Sequence, residues 1–220
     1  MDESPDRLLD GYRARIDAID DQLIALLKDR IGIVGQVAAL KRREWPAACH
    51  IRSGREGRMH QRIAAAFADS EFAPQAALAI WREIIGASTH RESPLHIVTV
   101  GSHLTGLARD YFGSTAEVAH SESIHAALAA MASKRFNILI APREMLGVVA
   151  MQAPHCKLFA ALPLITDTPE AFALAEITPE PSGHDVSYFY EQGNVTSQPG
   201  FNDHKPGAVW LGAHPMPIRL

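Results

Sequence analysis

Residues 8–43, LLDGYRARIDAIDDQLIALLKDRIGIVGQVAALKRR, contain no proline and carry Leu9, Tyr12, Ile16, Ile19, Leu23, Leu26, Leu27, Ile33, Val34, Val37 and Leu40 at helical spacing. The period predicts one amphipathic helix. At 1.5 Å rise per residue it would be roughly 54 Å long, far beyond the average globular helix. A rod of that length cannot bury its apolar stripe on its own short domain, so a second copy is expected against it. Three of its cations set the question, Arg13, Arg30 and Lys41. Arg30 and Lys41 lie within about 20° of one face, whereas Arg13 sits about 100° round and roughly 25 Å along the axis from Arg30. One small ligand could be held by Arg30 and Lys41, with Arg13 serving the equivalent site of a partner. Solvated charges on a polar face give the same pattern, and other residues must decide.

Composition bounds the class. The 220 residues are 47% hydrophobic and 21% charged, an ordinary globular balance that suits one large or two small domains. A net charge of −4 argues against general affinity for nucleic acid or anionic membrane. The opening MDESPDR is acidic and lacks an apolar core, so neither a signal nor a transit peptide is expected. No apolar run approaches the roughly 20 residues of a bilayer span. Cys49 and Cys156 lie far apart and outside any CxxC, which indicates neither a disulfide framework nor a zinc knuckle. A cytoplasmic protein is expected.

After the long helix, residues 44–50 (EWPAACH) break the pattern, because proline disfavours helix at itself and before itself. Ser53 with Glu56 three residues later predicts a capping box opening a helix over 54–68. Pro74 opens a third helix to about Thr89, with Ala77, Ile80, Ile84 and Ser88 in line and Trp81 and Ile85 beside them. At Ser93-Pro94 the character changes. Strands are expected at His96–Val100, Phe136–Ala141, Leu158–Ile165, Phe172–Ile177 and Val186–Tyr190, with helices at Leu104–Phe112 and Ile124–Ser133. That alternation indicates a small α/β domain. From Gly193 onward Gly, Pro, Asn and His dominate, and loop or a weakly held edge is expected around the apolar island Val209-Trp210-Leu211-Gly212. The expected division is a helical domain over 1–93, an α/β domain over 94–192 and a tail over 193–220.

The helical part also carries Arg55-Glu56 at the start of its second helix, and Ser88 and Glu92, one turn apart, near the end of its third. A long helix bearing Arg13-x-x-Ile16-x-x-Ile19-Asp20, then Asp29-Arg30, then Ala39-Leu40-Lys41, followed by Arg55-Glu56, resembles the all-α chorismate mutase family. It resembles especially the mutase domain of bifunctional chorismate mutase–prephenate dehydratases. The resemblance covers about residues 8–92. It implies a three-helix domain in an intertwined homodimer and a cofactor-free Claisen rearrangement of chorismate to prephenate, with no metal.

The implied chemistry suits the residue types. The substrate is a dicarboxylate whose ether oxygen gains negative charge as the C–O bond breaks, so cations must hold the compact conformer and a donor must face that oxygen. Guanidinium groups grip carboxylates bidentately, which suits Arg13, Arg30 and Arg55. The resemblance makes Lys41 the ether-oxygen donor and Glu56 the acceptor for the ring hydroxyl, and it sends Arg13 into the partner's site. Ser88 matches a family serine near a carboxylate; a hydroxyl bonded back to its own helix is the alternative. Where the family has Gln as a second ether-oxygen donor, this chain has Glu92. A carboxyl group there helps only when protonated, so activity is expected to fall as pH rises. Three residues before Arg55 the bifunctional enzymes have Asp, and this chain has Arg52, taken as a further substrate-binding candidate. The connector between Lys41 and Arg55 is two residues longer than theirs.

Residues 95–190 resemble, more faintly, the dehydratase domain of those enzymes. Gly101-Ser102-His103-Leu104-Thr105 sits at its Gly-Pro-x-Gly-Thr turn, followed by Tyr111-Phe112-Gly113, and Ala141-Pro142-Arg143-Glu144 echoes its Pro-x-Glu-Asn-Ser segment. Its Thr-Arg-Phe catalytic motif falls opposite Ser187-Tyr188-Phe189, so the Arg is lost and dehydratase activity is not expected. Trp210-Leu211-Gly212-Ala213-His214-Pro215 resembles the last strand of the regulatory domain, for the rest of which there is no room. Gly101 and Gly106 fit no full nucleotide fingerprint. His120 with His125, His155 with Cys156, and His204 with His214 match no ligand spacing. Trp45, Trp81 and Trp210 read as packing residues. The expectation is a homodimeric chorismate mutase with a degenerate second domain; a non-catalytic metabolite-binding relic and an active bifunctional enzyme are the alternatives.

Overall fold

The computed structural model describes residues 4–44 and 51–219. The chain forms an N-terminal three-helix region with a long first helix, followed by an α/β domain with an eight-strand mixed sheet. It divides into two compact units, one ending at Pro46 and one running from Ala47.

The first unit is α1, Pro5–Glu44, an unbroken helix of 40 residues. Pro5 starts it where a missing N–H costs nothing, and Lys41, Arg42 and Arg43 complement the dipole of its last turn. Of the expected break at 44–50, Glu44 still belongs to α1, and residues 45–50, with Trp45 and Cys49, lie outside the described residues. The apolar stripe of α1 is exposed along its length, Leu26 at 64% and Ile33 at 61%.

In the second unit, α2 (Ser53–Ala66) and α3 (Pro74–Glu92) pack on each other. The capping box is corrected. Arg52 is the cap residue and makes no side-chain cap bond, while the Ser53 hydroxyl lies inside the helix and accepts from the Glu180 N–H at 3.4 Å. A tertiary partner has taken the group that the local motif would use. Helix α3 runs a turn past the expected end, and Ser93 in extended conformation followed by Pro94 stops it.

The α/β domain follows in the order β1 (His96–Val100), α4 (Leu104–Phe112), β2 (Glu117–Ser121), α5 (Ile124–Ala132), β3 (Ile138–Pro142), α6 (Leu146–Gln152), β4 (Lys157–Leu162), β5 (Ala171–Ala175), β6 (Asp185–Glu191), β7 (Asn194–Pro199) and β8 (Val209–Pro215). The sheet order is β2-β1-β3-β5-β4-β8-β6-β7. Strand β1 is parallel to β2 and β3; β5 runs antiparallel between β3 and β4. Side chains alternate between two cores, as the pleat requires. Val98, Val100, Leu139 and Ala141 face α5 and α6; Ile97, Ile138 and Ile140 face α4. Helix α3 packs on α4, and α2 packs on β8. Ile63, Ala77 and Leu78 join Leu164 and Ile218 in a third cluster, with Trp81 against it.

The tail expectation is corrected most. Strand β7 is an edge, but β8 is internal, between β4 and β6, with Leu211, Gly212, Ala213 and His214 buried. The apolar island is the first half of β8, which continues through buried Ala213 and His214 to Pro215. Strand β2 and helix α6 add to the expected elements: β2 is a short, largely polar edge strand and α6 a seven-residue apolar helix, each too brief to show a period. Among the described residues no helix is long and apolar enough to cross a membrane.

Candidate functional site

The expected site residues fall in both compact units. On α1, Arg13 is exposed and pairs with Asp10 at 3.3 Å, one turn earlier; Arg30 and Lys41 are half-buried. Their common face follows from the continuity of α1, which has no proline or bulge to shift the phase between them.

On the second unit, α2 and α3 bring Glu56 against the α3 face that carries Ile85, Gly86 and Thr89. These line a narrow crevice floored by Tyr111 and Phe112 of α4. Gly86 is needed there, because a Cβ would collide with the Phe112 carbonyl. Arg55, beside Glu56, is exposed. Ser88 is 6% exposed and its Oγ donates to the Ile84 carbonyl at 2.6 Å, the back-bonding alternative. Glu92, the last residue of α3, is half-buried one turn further on. Arg52 turns away to Glu180, its Nε donating to Oε1 at 2.9 Å and Oε2 at 3.2 Å.

Beneath Glu56 lies a polar cluster that the sequence reading missed. His60, one turn along α2, is buried edge-on to Tyr111 with ring centroids 6.1 Å apart. Its Nε2 and the Arg82 Nε lack hydrogen-bond partners among the described residues. Burial, and secondarily the Arg82 charge, lowers the His60 pKa to about 4. The Tyr111 hydroxyl is pushed up, first by burial and then by Glu56, with Arg82 opposing. The i, i+4 spacing of Glu56 and His60 was the available signal; nothing local pointed to Tyr111 or Glu180.

In the α/β domain, Ser187 and Tyr188 of the dehydratase-like positions are buried in the sheet. Ser187 Oγ donates to the Gly200 carbonyl and accepts from the Asn202 N–H, each at 2.8 Å. Tyr188 is buried between Phe172 and His214 at centroid distances of 5.0 and 5.5 Å, and the Arg143 guanidinium stacks on its ring at 5.5 Å. His214 donates from Nδ1 to the Pro215 carbonyl at 2.7 Å, and burial lowers its pKa to about 4 against the opposing pull of that carbonyl and Asp185. His214 is buried and His204 exposed, and among the described residues no group of three or more His, Cys, Asp or Glu could hold a metal ion. Cys156 is buried and free.

No curated protein and no solved structure gives a significant match to the chain. Residues 12–93 match the family model Chorismate mutase type II, a range that spans most of α1 and all of α2 and α3. The chain therefore carries a chorismate mutase type II domain followed by an α/β domain.

Proposed function

We propose that the protein is a chorismate mutase that isomerises chorismate to prephenate in aromatic amino-acid biosynthesis, with residues 1–93 as its catalytic domain. The match over residues 12–93 carries this reading. In it, Arg30 and Arg55 hold carboxylates of one substrate, Lys41 donates to the ether oxygen as charge develops there, and Glu56 accepts from the ring hydroxyl. Glu92, when protonated, is the second donor to the ether oxygen. Ser88 lies near one carboxylate. The work is orientation and charge stabilisation, which asks for no cofactor.

The protein acts as a homodimer, in which Arg13 of each chain serves the other's site. The exposed apolar face of α1 supports this: Leu9, Tyr12, Ile16, Ile19 and Leu23 form a continuous stripe that a second α1 would bury. The α/β domain, read as a degenerate prephenate dehydratase, makes no phenylpyruvate, because the expected arginine is the core residue Tyr188.

Purified protein is expected to remove the ultraviolet absorbance of chorismate with saturation kinetics, and Arg30→Ala to abolish that. Binding of chorismate without turnover would replace the enzyme with a metabolite-binding protein; neither binding nor turnover would overturn both.

A further inference from the structure

The first turn of α2 presents Arg55 away from the α/β domain, holds Glu56 half-buried at its flank above His60, and is seated on the α/β domain along the remaining face. Ser53, Gly54, Gly57 and His60 form the seated stripe, all buried, with Arg55 nearly opposite on the helix. A Cβ at Gly54 would lie 2.5 Å from the Pro181 carbonyl oxygen, so the helix backbone rests directly on that loop. Arg52 reaches Glu180 at 2.9 Å, and Arg58 donates to the Pro181 carbonyl at 2.7 Å.

The loop that receives these bonds is stiff by construction. Glu180 stands between Pro179 and Pro181, each with φ fixed by its ring. Behind them the buried Asp185 carboxylate accepts from the Ser182 N–H at 2.9 Å, the Ser182 hydroxyl at 2.7 Å and the Gly183 N–H at 3.1 Å. A charged side chain on such a loop is preorganised, so holding Arg52 costs little further entropy. We propose that the 179–185 loop of the α/β domain is the positioning device for the catalytic turn of α2, with Glu180 as the positioning residue for Arg55 and Glu56. This rests on the mutase reading, and it makes the α/β domain part of the catalytic apparatus.

Exposure makes the idea testable. The side chains of Arg52 and Glu180 are 51% and 35% exposed, and ion pairs that wet contribute little to stability. Glu180→Ala should therefore melt within a few degrees of wild type, while kcat/KM for chorismate falls up to about fivefold, the most that such a pair can transmit to the groups it positions. The charge-swapped double variant Arg52→Glu with Glu180→Arg should recover most of the loss, which a general structural defect would not allow. Amide exchange over 53–60 should quicken in Glu180→Ala and return in the swap. Wild-type turnover matched by Glu180→Ala would overturn the positioning role alone, as would a swap that recovers nothing. A wild-type protein inert toward chorismate would overturn the mutase reading itself.

Discussion

Gly57 of α2 and Pro215 at the end of β8 are in such close contact that a Cβ on Gly57 would fall far under 3.0 Å from two carbons of the proline ring. Two opposed effects make this contact measurable. Replacing a helical glycine by alanine stabilises by about 1 kcal/mol when nothing is in the way. Overpacking a rigid contact costs about 1–3 kcal/mol. Gly57→Ala is expected to lower the urea midpoint, whereas Gly106→Ala in α4, with nothing within 4 Å, should raise it. Equal behaviour of the two would mean that α2 is not held against β8.

If each active site takes Arg13 from one chain and Arg30 from the other, two inactive variants can repair each other. Mixing Arg13→Ala and Arg30→Ala proteins gives heterodimers with one intact and one doubly damaged site. By isologous symmetry, the mixture should reach roughly a quarter of wild-type activity. Titrating one variant into the other and measuring chorismate loss checks it; zero recovery in an exchanged mixture excludes the shared site. Leu23→Glu on the exposed stripe should convert the dimer to monomer in sedimentation, and activity should go with it.

Glu92 is the proposed second donor to the ether oxygen, and substitution tests it. Glu92→Gln keeps a donor at that position and should retain turnover, whereas Glu92→Ala should lose roughly tenfold or more in kcat/KM. Steady-state rates of Glu92→Ala equal to those of wild type would remove Glu92 from the reaction.

Stability should depend on pH through the two buried histidines. His60 and His214 take a proton in the folded protein only near pH 4, against 6.5 for the ordinary side chain. The unfolded chain therefore binds more protons between about pH 6.5 and 4, and stability present at neutral pH is lost as pH falls through that window. Each histidine contributes about 3 kcal/mol to the change. His60→Phe keeps the ring without the charge. Urea denaturation at pH 7 and 4.5 should show a smaller drop for it than for wild type, and not none, since His214 still titrates.

Local period made much of this molecule legible. The phase of α1 could be read because nothing interrupts it, and the Arg30–Lys41 face came with that phase. Strand β1 and helix α4 were placed to the residue, because Pro94, Gly101 and Gly113 punctuate them. What failed was set by distant partners. Ser53 looked like a cap, but its hydroxyl answers to Glu180, 127 residues later. The β8 segment looked like tail, although β4 and β6 bury it on both edges. Arg52, a substrate-binding candidate from its place three residues before Arg55, has a carboxylate partner 128 residues downstream that no local pattern announces. His60 and Tyr111 meet only because α3 seats on α4 and α2 on β8.

The internal place of β8 has a consequence in time. A ribosome adds roughly 5–20 residues per second, so Gly57 waits on the order of ten seconds for Pro215 to be made. Until then α2 has no floor, and β4 and β6 have no strand between them. The growing chain must carry α2 without β8 beneath it through most of its own synthesis, and closing the sheet seats that helix in the same event.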